Sequence, residues 1–263
     1  MTTTIALAGK GGVGKTTIAA LLVKYLVEKN DGAVLAIDAD PSSNLNMALG
    51  LDLEWTVGDI REDLLNQVQN SLVAGGAAMG TLPGGINKRD YLDYQIRSSV
   101  SEGDYFDLIA MGRSEGPGCY CAVNHNLREV VDTISKNYRY IVIDNEAGME
   151  HLSRRTTRDV QHLLVVSDPT QRGIVAAERI ASFRHSLDIR IEKAYLILNR
   201  LSGEMPAPLR EKVAQLDIPL LGVVPADEEL TQAEFKGTPV VELGENSQVY
   251  QAIKKIVAEL EPL

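Results

Sequence analysis

The 263-residue chain predicts an α/β fold, a doubly wound, mostly parallel sheet flanked by helices. Three observations carry that expectation. Short apolar runs of strand length recur along the chain. Helix-patterned stretches separate most of them. No linker or internal repeat divides residues 1–263, so they are expected to form one domain. A parallel sheet buries both of its faces, and crossover helices are what cover them.

The first element is TIALAG, Thr4 to Gly9, a buried strand that runs directly into a glycine-rich turn. TTIAALLVKYLVEKN then spaces Ile18, Leu21, Leu22, Tyr25 and Leu26 along one helical face and stops at Asn30-Asp31-Gly32. Six more apolar runs read as strands: Ala33 to Asp38, Phe106 to Gly112, Tyr140 to Asp144, His162 to Asp168, Ala194 to Arg200 and Pro219 to Pro225. GIVAAERIASFRHSL and PLREKVAQL read as helices between them. AGGAAMGTLPGG, Ala74 to Gly85, breaks the rhythm and reads as a long loop, either a lid or a tolerated insertion.

Composition narrows the partners. A hydrophobic content of 44% is ample for one core, and 26 basic against 36 acidic residues give a net charge of −10. Such a field repels phosphate backbones and anionic membrane surfaces, so neither nucleic acid nor membrane is an expected partner. The polar start, Thr2 to Thr4, lacks the features of a signal peptide, and no run approaches the roughly 18 apolar residues of a membrane span. A cytoplasmic location is the expectation. The last residues, SQVYQAIKKIVAELEPL, follow one Lys-Lys pair with Glu259 and Glu261, a poor anchor for anionic lipid.

GKGGVGKT, Gly9 to Thr16, matches G-x-x-x-x-G-K-[ST] between a predicted strand and a predicted helix. Glycines let the backbone curl so that successive N–H groups point at phosphate oxygens, and the helix N-terminus adds partial positive charge. The phosphate-binding set is therefore Gly11, Gly12, Val13, Gly14, Lys15, Thr16 and Thr17, with Lys15 reaching the β- and γ-phosphates and Thr16 offering a hydroxyl to Mg²⁺. Asp38, Asp40 and Asp144 close predicted strands at their carboxyl ends, where ligands of open α/β sheets bind.

Lys10 makes the loop K-G-G-x-G-K-[ST], which resembles the deviant Walker A motif of the MinD/ParA/nitrogenase iron-protein class, P-loop NTPases of the SIMIBI type. The resemblance implies that Lys10 crosses to the nucleotide of a partner subunit, and hence a homodimer around two ATP molecules. It implies that Asp40 positions or activates the attacking water. It also places Asp38 near the Mg²⁺ and makes Asp144 the carboxylate that holds the ion, directly or through water. Asn199 resembles the family asparagine that reads adenine, and Pro225 and Asp227 resemble the other segment lining the base. Asn199-Arg200-Leu201-Ser202 is not the Asn-Lys-x-Asp of a guanine reader, which favours ATP over GTP.

Both cysteines of the chain, Cys119 and Cys121, fall in EGPGCYCAVNH, Glu115 to His125. A disulfide between positions i and i+2 would close a strained ring, and a reducing compartment disfavours it. Thiolates are soft ligands for Ni²⁺, Zn²⁺, Cu(I) or iron–sulfur clusters, and four complete a tetrahedral or square-planar sphere. One chain supplies two, so a homodimer with these loops on its axis would supply four. Two nearby cysteines could instead fill a core; the Gly116-Pro117-Gly118 turn and the polar Asn124-His125-Asn126 argue against that. His125 is more readily a solvated residue than a ligand.

MGRSEGPGCYCAVNHNLR (Met111 to Arg128), YIVIDNEAGMEHLSRRTT (Tyr140 to Thr157) and VSDPTQRGIVAAERI (Val166 to Ile180) resemble the CooC-type nickel-insertion ATPases. The resemblance implies an ATP-dependent dimer that carries Ni²⁺, or Zn²⁺, on paired Cys-x-Cys motifs. Its clients would be carbon monoxide dehydrogenase or acetyl-CoA synthase. A MinD- or ParA-like spatial organiser and an iron–sulfur electron-transfer ATPase are the competing expectations.

Overall fold

The structure is a computed structural model that describes residues 2–73, 87–113, 129–147, 159–184 and 189–260. The Ala74 to Gly85 segment and both cysteines lie outside them, as does His125. The described residues build one eight-stranded sheet: β1 (Thr3–Gly9), β2 (Val34–Ala39), β3 (Ser101–Glu102), β4 (Phe106–Ala110), β5 (Tyr140–Asn145), β6 (Asp159–Ser167), β7 (Arg190–Leu201) and β8 (Leu220–Pro225). Their spatial order is β3-β4-β2-β5-β1-β6-β7-β8. Every pairing is parallel except that of β3 with β4.

Helices cover both faces, as a parallel sheet requires. Alternate residues of β1 serve the two sides: Ala6 and Ala8 enter one hydrophobic cluster, Ile5 and Leu7 the other. On the first face pack α3 (Val57–Val73), α4 (Lys88–Ser98), α5 (129–135), α6 (Gln171–Phe183) and α7 (Ala207–Ala214). On the second lie α1 (Lys15–Lys29), α2 (Leu45–Leu49) and α9 (Gln248–Leu260), while α8 (Glu228–Lys236) touches the same side through Leu230.

All seven predicted strands are present. β6 and β7 begin three and four residues earlier than expected, because Asp159 and Val160 pair with Arg190 and Ile191 below the apolar cores of both strands. α1 departs more. Ile18 through Val23 are buried without interruption, because the sheet, α2 and α9 enclose the helix where a single apolar face was expected. Tyr25 is only half-buried.

Candidate nucleotide site

β1 ends at Gly9 and α1 begins at Lys15, so the intervening loop stands at the carboxyl edge of the central strand. Gly14 is the N-cap of α1 with φ +91°, a left-handed conformation that favours glycine. Space there is equally restrictive, since a Cβ on Gly14 would lie 2.4 Å from Asn199 Nδ2. That amide donates to the Val13 carbonyl at 2.8 Å, while Asn199 Oδ1 accepts from Arg200 N at 2.9 Å. Arg200, itself at φ +60°, donates to the Gly12 carbonyl at 2.9 Å. The end of β7 thus straps the loop from behind.

Beneath the loop, the Thr16 hydroxyl donates to Asp144 Oδ2 at 2.6 Å. Asp144 is 1% exposed, and its Oδ1 has no hydrogen-bond partner. Burial pushes its carboxyl up to about 7 against the Thr16 hydrogen bond. Asp38 stands beside it in register on β2, and burial raises it to about 6. Both Asp38 oxygens already accept backbone N–H groups, from Asp40 at 3.0 Å and from Leu45 at 2.9 Å. It therefore holds the turn after β2 and the start of α2. Asp40 is half-buried and accepts from Ser42 N at 2.8 Å.

Lys15 is buried, and its Nζ donates to the Lys10 carbonyl at 3.3 Å. Burial lowers its pKa, opposed by the charges of Asp144, Asp40 and Glu146. Lys10 and Gly11 are exposed on the loop. Thr17 donates to Glu234 Oε1 on α8 at 2.8 Å. Pro225 ends β8, and Asp227 caps α8 by accepting from Leu230 N at 3.0 Å.

The structure therefore gathers Lys10 to Thr17, Asp38, Asp40, Asp144, Asn199, Pro225 and Asp227 at the carboxyl edge of one sheet. Three further residues belong to this rim. Glu146 announces itself only by its charge beside Lys15, and neither Arg200, which follows Asn199, nor Glu234, far along the chain, carried a sequence signal of its own. Cys119 and Cys121 lie outside the described residues, among which no cluster of three or more His, Cys, Asp or Glu could hold a metal. No described helix is long and apolar enough to cross a membrane.

The rim fits Mg²⁺. A buried carboxylate oxygen without a partner, next to a threonine hydroxyl, is a hard-oxygen donor pair of the kind that ion takes.

Known proteins share this fold. An uncharacterised ATP-binding protein of Methanocaldococcus jannaschii is 40% identical over 97% of each chain. The carbon monoxide dehydrogenase accessory protein CooC of Rhodospirillum rubrum is 29% identical over 91% of this chain and 89% of its own. The septum site-determining protein MinD of Pyrococcus horikoshii, solved with Mg-ADP, superposes with a TM-score of 0.68 at 22% identity, covering 100% of this chain and 97% of that one. The family of CobQ/CobB/MinD/ParA nucleotide binding domains matches residues 4–240. On the β1–loop–α1 site and that match, the chain belongs to the CobQ/CobB/MinD/ParA nucleotide-binding family.

Proposed function

We propose that residues 1–263 form a single-domain cytoplasmic ATPase that works as a homodimer and carries Ni²⁺, or Zn²⁺, on the paired Cys119 and Cys121 thiolates. Its task is nickel delivery to carbon monoxide dehydrogenase or acetyl-CoA synthase. The observation that carries the nucleotide half is the Thr16–Asp144 pair, with its unpartnered carboxylate oxygen, directly below the phosphate loop. The similarity to CooC supports the cargo half.

In this reading the N–H groups of residues 11–17 and the start of α1 bind the phosphates, and Lys15 leaves the Lys10 carbonyl to meet them. Thr16 and Asp144 would hold Mg²⁺, which when bound neutralises phosphate charge. Asp38 keeps Asp40 placed through the backbone N–H it accepts, and Asp40 orients the attacking water. Asn199, Pro225 and Asp227 line the base, with Asn199 exchanging its bond to Val13 for adenine. Lys10, exposed on the loop, would reach across to complete the second subunit's site.

The cargo segment follows Arg113, where the chain leaves β4 on the rim that carries the phosphate loop. If metal affinity differs between the ATP and ADP forms of the dimer, metal must shift nucleotide affinity by the same factor. Metal analysis with sedimentation, with and without ATP and Mg²⁺, tests the reading. One ion per two chains is expected, and a Cys119→Ser/Cys121→Ser variant should lose that ion while still binding ATP. Retention of stoichiometric metal by the variant refutes the carrier role. Release of phosphate from ATP, abolished by Lys15→Ala, tests hydrolysis separately.

A further inference from the structure

The rim around the phosphate loop presents two surfaces of opposite character. On one side, Lys10 and the α6 residues Arg172, Val175, Ala176, Arg179 and Ile180 help line a cleft of about 1010 Å³. Lys10, Arg172 and Arg179 are exposed, and none has an ion-pair partner among the described residues. Three cations without an ion-pair partner among the described residues, set around an apolar wall, are a local exception on a chain of net charge −10.

On the other side, α8 reads EELTQAEFK and buries none of its residues. Glu228 and Glu229 open it and have no ion-pair partner among the described residues, and Phe235 stands 94% exposed near its end. An exposed phenylalanine on an acidic helix is the chemical counterpart of an apolar cleft ringed by arginines. Placement agrees with chemistry. α6 packs on the first face of the sheet through Ile174, Ala177 and Ile180, whereas α8 reaches the second face through Leu230. The phosphate loop lies between them, bordering the cleft through Lys10 and Gly11 and tied to α8 by the Thr17–Glu234 hydrogen bond.

We infer that the α6 cleft of one subunit receives α8 of a second copy of this chain. The inference rests on the homodimer reading and specifies which surfaces form it. A two-fold axis that brings the two phosphate loops face to face can also set the first face of one subunit against the second face of the other. The contact is then made twice and closes on itself. Phe235 enters against Val175 and Ala176, while Glu228 and Glu229 meet Arg172 and Arg179. The docked helix also holds Glu234 and Thr17 of its own subunit, so each subunit's nucleotide site is buttressed by the other's cleft.

Complementary charge reversal tests this with the full chain, read by sedimentation velocity in ATP and Mg²⁺ with calorimetry of ATP binding as a check on folding. Wild type should dimerise. Arg172→Glu/Arg179→Glu and Glu228→Arg/Glu229→Arg should each weaken self-association by about tenfold or more, and Phe235→Ala should weaken it too. An equimolar mixture of the two charge variants should recover association to within about threefold of wild type, because both contacts of the mixed dimer, one native and one reversed, bring opposite charges together. A variant that dimerises like wild type, or a mixture that stays weak, overturns the docking while leaving the dimer intact. A wild type that remains monomeric overturns both readings. Binding of a synthetic Glu-rich, Phe-containing peptide to the cleft of a dimer with unaltered association would identify an outside acidic partner and overturn the inference.

Discussion

Asp144 stands where stability and function pull apart. Its carboxyl is buried beside Asp38, and its folded value near 7 lies above the ordinary 3.8, so ionisation opposes folding as pH rises through about 7. Asp144→Asn should therefore stabilise the nucleotide-free chain at pH 8 by about 1–3 kcal/mol, read from urea midpoints, while weakening Mg²⁺-dependent ATP binding by about tenfold or more. Gly14 carries the opposite expectation. A methyl group there meets both a left-handed backbone and the Asn199 amide, so Gly14→Ala should cost about 1–3 kcal/mol and loosen nucleotide binding. His162 provides a pH signature away from the site. It is 6% exposed on β6, its Nδ1 lacks a partner, and burial, with Lys193 nearby, lowers its pKa below the ordinary 6.5. Below pH 6.5 the unfolded chain takes up a proton that the fold refuses, and stability falls. His162→Phe, which keeps a ring beside Tyr195, should flatten the stability profile between pH 7 and 5 by up to about 1.4 kcal/mol per pH unit in chemical denaturation.

Among the elements, α9 shows how tightly the second face is built. Gly222 on β8 leaves a Cβ position only 2.4 Å from Ile256 Cγ1, so Gly222→Ala would force strand and helix apart. An overpacking cost of about 1–3 kcal/mol is expected, measured by thermal or urea unfolding. At its far side, Tyr250 of α9 donates to Glu28 of α1, and Lys24 and Lys254 lie over its ring. These ties explain why the periodicity of α1 was only partly informative. Ile18, Leu21, Leu22 and Leu26 mark one buried face, but Ala19, Ala20 and Val23 are buried as well, because helices from distant sequence close over them. Strands were legible because mostly apolar runs of five to seven residues are what a doubly covered sheet demands. The two-residue β3 carries no such run and becomes visible only through its pairing with β4.

Across the whole molecule, the site divides by the range of the contacts that build it. The phosphate loop was legible as a string because the residues that curl the backbone are neighbours. Asp38 and Asp144 were legible as aspartates closing apolar runs, yet their adjacency depends on β2 pairing with β5 across about a hundred residues of chain. Arg200 on Gly12 and Glu234 on Thr17 depend on contacts spanning 188 and 217 positions, and nothing local announces them. The reverse holds at Cys119 and Cys121, where sequence alone carries the argument.

The antiparallel Ser101–Glu102 pairing has a quieter role. It ends the sheet at that flank with a stub too short, and with a carboxylate too exposed, to template another ribbon. Neighbouring copies are thereby discouraged from adding strands to the sheet at that flank and growing into fibres.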